Sequence, residues 1–186
     1  MEIVITLNIC KNYYKMIKFN KNKFKGLILV EGKIFKDSRG YLREILIEKK
    51  IKKKFKFQIV SNSKKNVLRG LHYQFKKPQG KFINVVKGKI FDVVVDLRKN
   101  SKTYGKHFSI ILSEKNCKSL YIPPGFAHGF QTLEKENIVF YSCTEYRSEG
   151  NEYGLNYNDK SLKIKWPLSN PTITKKDKNA KFLKDL

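Results

Sequence analysis

The sequence is poor in the residues from which disulfide frameworks, metal cages and membrane spans are built. It has three cysteines, Cys10, Cys117 and Cys143, scattered and odd in number. Their spacing suits neither a disulfide framework nor a thiolate zinc site, and points to a reducing cytoplasm. Histidine is as scarce, with His72, His107 and His128 in separate segments. No apolar run approaches the ~20 residues of a transmembrane helix, so no membrane association is expected. The opening "MEIVITLNIC" lacks the basic start of a secretory signal. Acidic residues are also few, 16 against 40 basic ones, for a net charge of +24. Such charge attracts nucleic acids in general. Here, however, the lysines are spread through "KNKFK", "KKIKKKFKF", "SNSKK" and "KKDKNAK", arginine is scarce, and no nucleic-acid-binding motif is visible. Nucleic acid is therefore not the expected partner, and the charge instead steers small anionic ligands inward.

The 186 residues suit one domain with a short extension and can bury a sizeable core. Residues 1–15 fit poorly with the rest of the chain. They read as an N-terminal extension: an added strand, a disordered tail or a misplaced start, which the sequence leaves open. From "MIKFNKNKFKGLILVEGKIF" onward, residues 16–186 read as a single domain. Short β-rich runs alternate with turns through "YLREILI", "KFQIVSNS", "KFINVV", "KHFSIILS", "SLYIPP" and "NIVFYSCTEY". "KFINVV" and "IFDVVVDL" flank "KGK", a hairpin signal on Gly88. Within the second run, Asp92, Val94 and Asp96 alternate with apolar residues and predict one wetter face. Helical periodicity is weak throughout, and "EKKIKKKF" is the best short helix. The expectation is an all-β sandwich or barrel with short peripheral helices.

Four places carry chemistry. "VLRGLHYQ" is a strand with Arg69 and His72 three positions apart, which a regular strand sends to opposite faces. Gly70 permits a bulge that brings both to one side. Lys81 follows "KKPQG" and opens the next strand, where it could meet His72 in a barrel mouth. "YIPPGFAHGF" places His128 after a forced turn, in the P-x-G-x-x-H spacing of metal-binding cupin barrels. The companion segment offers His72, Tyr73 and Gln74 rather than H-x-H, so a complete metal site is not expected. "FYSCTEYRSEGNE" carries Tyr141, Tyr146 and Glu152, and Asp177 stands alone among lysines in "PTITKKDKNAKFL". Taken singly, His72 reads as a bonded core histidine, the tyrosines as core residues and Asp177 as solvated surface.

Together, "DSRG", "VLRGLHYQ", "PQGK", "GKIFDVVVDLR", "SKTYGK", "YIPPGFAHGF", "WPL" and "PTITKKD" resemble, in family order over residues 24–186, the dTDP-4-dehydrorhamnose 3,5-epimerase family. The resemblance implies a cupin-type jelly-roll barrel, a homodimer, a nucleotide-linked 4-keto-6-deoxyhexose substrate, and no metal or cofactor. It implies His72 as base, Asp177 as the carboxylate that orients it, Tyr141 as acid on the opposite face, and Lys81 as stabiliser of the enolate, joined by Arg69. His128 would line the sugar pocket. Arg39 and Glu44 would reach the nucleotide across the dimer interface, Tyr146 would pack near its base, and Glu152 and Lys176 complete the substrate contacts. Leu42 replaces the usual aromatic against the nucleotide, and Gln58 and Asn62 fall off the usual register. A single-centre epimerase on the same scaffold and a metal-dependent cupin enzyme are the alternatives, with a non-catalytic binding barrel behind them.

Overall fold

The computed structural model of the protein describes residues 15–18 and 23–186. Most of the N-terminal extension read from the sequence therefore lies outside the described residues. Among the described residues, thirteen strands follow in chain order. The first six are β1 (Lys15–Lys18), β2 (Ile28–Glu31), β3 (Phe35–Asp37), β4 (Gly40–Leu42), β5 (Phe57–Lys64) and β6 (Leu68–Gln74). The rest are β7 (Lys81–Lys87), β8 (Lys89–Asp96), β9 (His107–Ser113), β10 (Lys118–Ile122), β11 (Phe126–Thr132), β12 (Glu136–Cys143) and β13 (Glu152–Gly154). Helices are short and peripheral. α1 (Glu48–Ile51) lies where "EKKIKKKF" predicts it, and α2 (Lys175–Lys178) lies near the C-terminus.

A six-stranded sheet, β1-β2-β10-β7-β12-β5, faces a five-stranded sheet, β13-β6-β11-β8-β9, and β3 and β4 form a separate hairpin. Every pairing between these strands is antiparallel. This is the expected all-β jelly roll. The core fills the space between the sheets with Ile83 and Val85 from β7, Ile90 and Val94 from β8, Leu120 and Ile122 from β10, Phe130 and Val139. Each such fully buried side chain contributes about 1.5–3 kcal/mol relative to exposure. The outer face of the five-stranded sheet is covered as well. There Val93, Val95 and Leu71 pack with Leu155, Leu162 and Trp166 of the C-terminal segment.

Two sequence expectations change here. β7 and β8 belong to different sheets, so "KGK" is a corner between sheets and not a hairpin within one. Gly88 serves it with a φ of +81°, and a Cβ there would clash with the Glu136 carbonyl oxygen. The wetter face of β8 is also not wet. Asp92 and Asp96 are both fully buried, because the C-terminal segment covers one side of β8 and the opposite sheet covers the other. Each carboxylate is instead bonded. Asp96 accepts from Arg98, Ser101 and Thr103. Burial alone would raise its pKa, but these bonds win and hold it at about 2.

The bulge expected at Gly70 is present. His128 pairs with His72 and Phe130 with Arg69, so three steps on β6 oppose two on β11. The crossing is close because Gly70 (φ +108°) faces Gly129. A Cβ on Gly70 would lie 2.6 Å from the His128 carbonyl oxygen and 2.7 Å from the Gly129 Cα. Gly70→Ala is therefore expected to combine backbone strain with overpacking and to destabilise the fold by about 2–5 kcal/mol. Urea denaturation measures this, and a loss below about 0.5 kcal/mol, the range of ordinary surface substitutions, would show that the crossing relaxes freely.

Candidate active site

The extra residue in β6 turns Arg69 and His72 onto the same cavity, a space of about 610 Å³ between the two sheets. The five-stranded sheet contributes Arg69, His72, Gln74 and Glu152, together with His128 from β11. The six-stranded sheet contributes Ser61, Asn62, Lys81, Tyr141 and Cys143. Lys81 and His72 thus meet from facing sheets, not from paired strands. Thr174, Lys176 and Asp177 close one side.

Asp177 reaches the cavity through a local sequence device. Thr174 caps α2 by accepting from the Asp177 N–H at 3.1 Å, which turns this one carboxylate among lysines inward. It is 5% exposed, so the solvated-surface reading of an isolated tail charge does not hold. Its Oδ1 lies 2.8 Å from His72 Nε2, and its Oδ2 accepts from the Gly70 N–H at 3.3 Å. Burial pushes the Asp177 carboxyl up, but the His72 bond and charge and the Gly70 N–H outweigh it and hold it below the ordinary value. A carboxylate accepts, so Nε2 carries the proton and the lone pair resides on Nδ1. Glu152 Oε1 stands 3.7 Å from that nitrogen. It is too far for a hydrogen bond but close enough to stabilise a proton once Nδ1 takes one.

Across the cavity, the Tyr141 hydroxyl lies 3.3 Å from Ser61 Oγ. Burial drives the Tyr141 phenol far above its usual range, against smaller opposing effects of the Ser61 bond and Arg69. At neutral pH it therefore keeps its proton. Lys81 opens onto the cavity rather than onto bulk water. That enclosure pulls its ammonium below the usual lysine range, while Cys143, Glu152 and Asp92 partly restore it. Arg69 is anchored by Nε donating to Ser63 Oγ at 3.0 Å. Below these groups, buried His128 places Nε2 2.8 Å from Asp92 Oδ2 and packs edge-on to the Tyr141 ring, centroids 6.4 Å apart. The arrangement sets a proton acceptor on one wall, a proton donor on the opposite wall and cations between them.

Of the residues expected from the sequence, His72, Lys81, Tyr141, Asp177, Arg69, His128, Glu152 and Lys176 line one cavity. Tyr146 stands outside it, stacked on Phe57 at 5.9 Å with the Lys56 ammonium 5.5 Å from its ring centre. Arg39 is on the β3–β4 turn, paired with Asp37 at 2.6 Å, and neither it nor Glu44 lines the cavity of its own chain. Asn62 lines the cavity and Gln58 does not. Arg147, Gln79, Cys143 and Ser61 were missed in the sequence, where polar residues on half-buried strands carry no distinguishing spacing. Asp92 did leave a signal, a carboxylate inside an otherwise apolar strand. His107 bonds the Leu162 carbonyl at 2.7 Å, away from this cavity. Among the described residues, no three His, Cys, Asp or Glu side chains gather in a metal-holding group.

A family model described as dTDP-4-dehydrorhamnose 3,5-epimerase matches residues 21–185. The enzyme of that name from Methanothermobacter thermautotrophicus is 42% identical over 176 residues, covering 90% of this chain and 95% of its own. The Shigella flexneri enzyme of that name is 40% identical, covering 89% and 95%. Among solved structures, the Legionella pneumophila dTDP-6-deoxy-D-glucose-3,5-epimerase in complex with dTDP-4-keto-L-rhamnose superposes with a TM-score of 0.86 at 37% identity, covering 92% and 94%. A 3'-monoepimerase from Streptomyces bikiniensis, in complex with dTDP-quinovose, superposes at 0.82 with 26% identity, covering 87% and 86%.

The Asp177 bond makes a pH prediction. Its folded pKa lies below the unfolded value of about 3.9, so its stabilisation is present above that pH and is lost as pH falls through the folded pKa. The stability gap between the wild type and Asp177→Asn is expected to be present above about pH 4 and to close as the pH falls below it. Thermal melts down through that pH test it, and a gap that persists undiminished in strong acid would contradict the assigned hydrogen bonds.

Proposed function

The chain belongs to the dTDP-4-dehydrorhamnose 3,5-epimerase family, and on that premise we propose that it inverts C3 and C5 of a nucleotide-linked 4-keto-6-deoxyhexose. The reaction would convert dTDP-4-dehydro-6-deoxyglucose to dTDP-4-dehydrorhamnose for dTDP-rhamnose synthesis. The observation that carries this reading is the placement of the Asp177-bonded His72 opposite the Tyr141 hydroxyl across one cavity.

The chemistry follows from the C4 ketone. It acidifies the protons on C3 and C5, because each carbanion delocalises as an enolate. His72 Nδ1 takes the proton from one face, with Asp177 holding the ring and Glu152 beside the nitrogen that becomes charged. Tyr141 returns a proton to the other face, and its raised pKa keeps it protonated for that step. Lys81 and Arg69 place positive charge where the enolate oxygen develops. Acid–base groups of this kind supply about 10²–10⁴-fold each. His128, Glu152 and Lys176 hold the sugar and phosphates, and Tyr146 packs near the nucleotide base.

Arg39 and Glu44 fit this reading in a homodimer, with each β3–β4 hairpin reaching the neighbour's cavity. The hairpin carries large apolar side chains in the open, Tyr41 at 60% and Leu42 at 65% exposure, which suits a surface that another copy covers. The cytoplasm, where nucleotide sugars are made, is the proposed location. The two described cysteines, Cys117 and Cys143, are unpaired, and among the described residues no helix is long and apolar enough to cross a membrane.

Incubation with dTDP-4-keto-6-deoxyglucose in deuterated water is expected to place deuterium at both C3 and C5. Deuterium at one carbon alone would reassign the chain as a single-centre epimerase on this scaffold, and none at either would refute the epimerase reading. Tyr141→Phe is expected to retain deuterium wash-in while losing most of the fully inverted product, by about 10²-fold or more. Unchanged product formation by that variant would remove Tyr141 from the acid role.

A further inference from the structure

Asp92 is a carboxylate with 0% exposure on β8, in the middle of the core. Its Oδ2 meets His128 Nε2 at 2.8 Å, and its Oδ1 is buried with no hydrogen-bond partner. A buried acid held by one bond is costly to keep, and burying it brings the fold no evident packing advantage over the valines beside it. Its partner is equally enclosed: His128 is 4% exposed, yet it lines the cavity. Among the described residues, His128 Nδ1 makes no hydrogen bond. The backbone of His128 is fixed too, because its carbonyl sits against Gly70 in the β6–β11 crossing. The ring is thus held at its backbone and at Nε2, with one nitrogen left for whatever fills the cavity.

We propose that Asp92 is a positioning residue that fixes His128 with its proton on Nε2, so that Nδ1 accepts a hydrogen bond from a hydroxyl of the bound sugar. The inference rests on the nucleotide-sugar reading and adds a division of labour within it. An unprotonated ring nitrogen cannot stabilise an enolate oxygen, which is left to Lys81 and Arg69. It can accept from a hydroxyl, and only one nitrogen of the ring is available to do so. The cavity then holds two carboxylate–imidazole pairs of the same local geometry with different tasks. In the pair at His72, the free nitrogen moves a proton, and in the pair at His128 it holds the sugar in register. Asp92 touches no substrate and acts through the ring.

The test is ¹⁵N NMR of histidine-labelled protein, with the His128 resonances identified by their loss in His128→Gln. In the free enzyme, Nε2 is expected to be protonated and Nδ1 unprotonated. Adding dTDP-glucose, which lacks the ketone and cannot turn over, is expected to move the Nδ1 resonance as it accepts a hydrogen bond, whereas dTDP alone leaves it in place. A doubly protonated ring, a proton on Nδ1, or no Nδ1 response to bound dTDP-glucose would overturn the proposal. Failure of both ligands to bind would instead count against the nucleotide-sugar reading. In Asp92→Leu, affinity for dTDP-glucose is expected to fall roughly tenfold, about one hydrogen bond's worth, with dTDP affinity unchanged. Asp92→Asn, which keeps an acceptor for Nε2, should restore most of it. Equal loss for both ligands would mark Asp92 as merely structural, and the wild-type spectra decide the matter if Asp92→Leu does not fold.

Discussion

The hydrogen bond between His72 Nε2 and Asp177 Oδ1 is the contact on which the site depends. It joins β6 of the five-stranded sheet to a short turn near the C-terminus, 105 residues further along the chain. It exists because two independent local devices aim its partners at each other. The Gly70–Gly129 crossing adds one residue to β6 and swings His72 to the side of Arg69. The Thr174 cap winds a single helical turn that presents Asp177 to the cavity while Lys175 and Lys178 stay exposed. The Gly70 N–H also donates to Asp177, so the bulge that aims the histidine also supports the carboxylate. Loss of either device would leave a ring and an acid without a fixed relation, and tautomer and reach would both be lost.

The electrostatics of the cavity contrast with those of the whole molecule. The chain carries +24, yet the cavity sets Asp177, Glu152 and the underlying Asp92 against Lys81, Arg69, Arg147 and Lys176. Both signs are required by the chemistry proposed. Carboxylates stabilise a proton arriving on His72, and cations stabilise the enolate that the proton leaves behind. The surplus of lysine is spread over the surface, where it draws a nucleotide diphosphate inward without deciding what happens to the sugar.

Strand positions were legible because alternation and turn residues are local. "IFDVVVDL" is a strand, and Gly70 does mark a bulge. How the strands divide between two sheets was not legible, since "KGK" has the same local chemistry in a hairpin and at a corner. Asp92 and Asp96 were read as one wet face because a period of two cannot show that the C-terminal segment covers the Val93 and Val95 side and leaves the Asp92–Val94–Asp96 side facing the other sheet. Asp177 looked like surface until the family resemblance gave it a partner, because a contact across so much chain leaves no spacing to read. Arg39 and Glu44 stand off the cavity of their own chain. A sequence does not say whether a residue serves its own site or a neighbour's, and their assignment rests on the proposed dimer.

The proposed reaction begins with proton transfer to His72 Nδ1. Its most direct test is deuterium wash-in from solvent by His72→Ala, beside the wild type, with dTDP binding measured on both. The prediction is loss of exchange at C3 and C5 together, by about 10²-fold or more, with nucleotide affinity retained. Exchange by His72→Ala at a near wild-type rate would contradict it and move the base to another side chain.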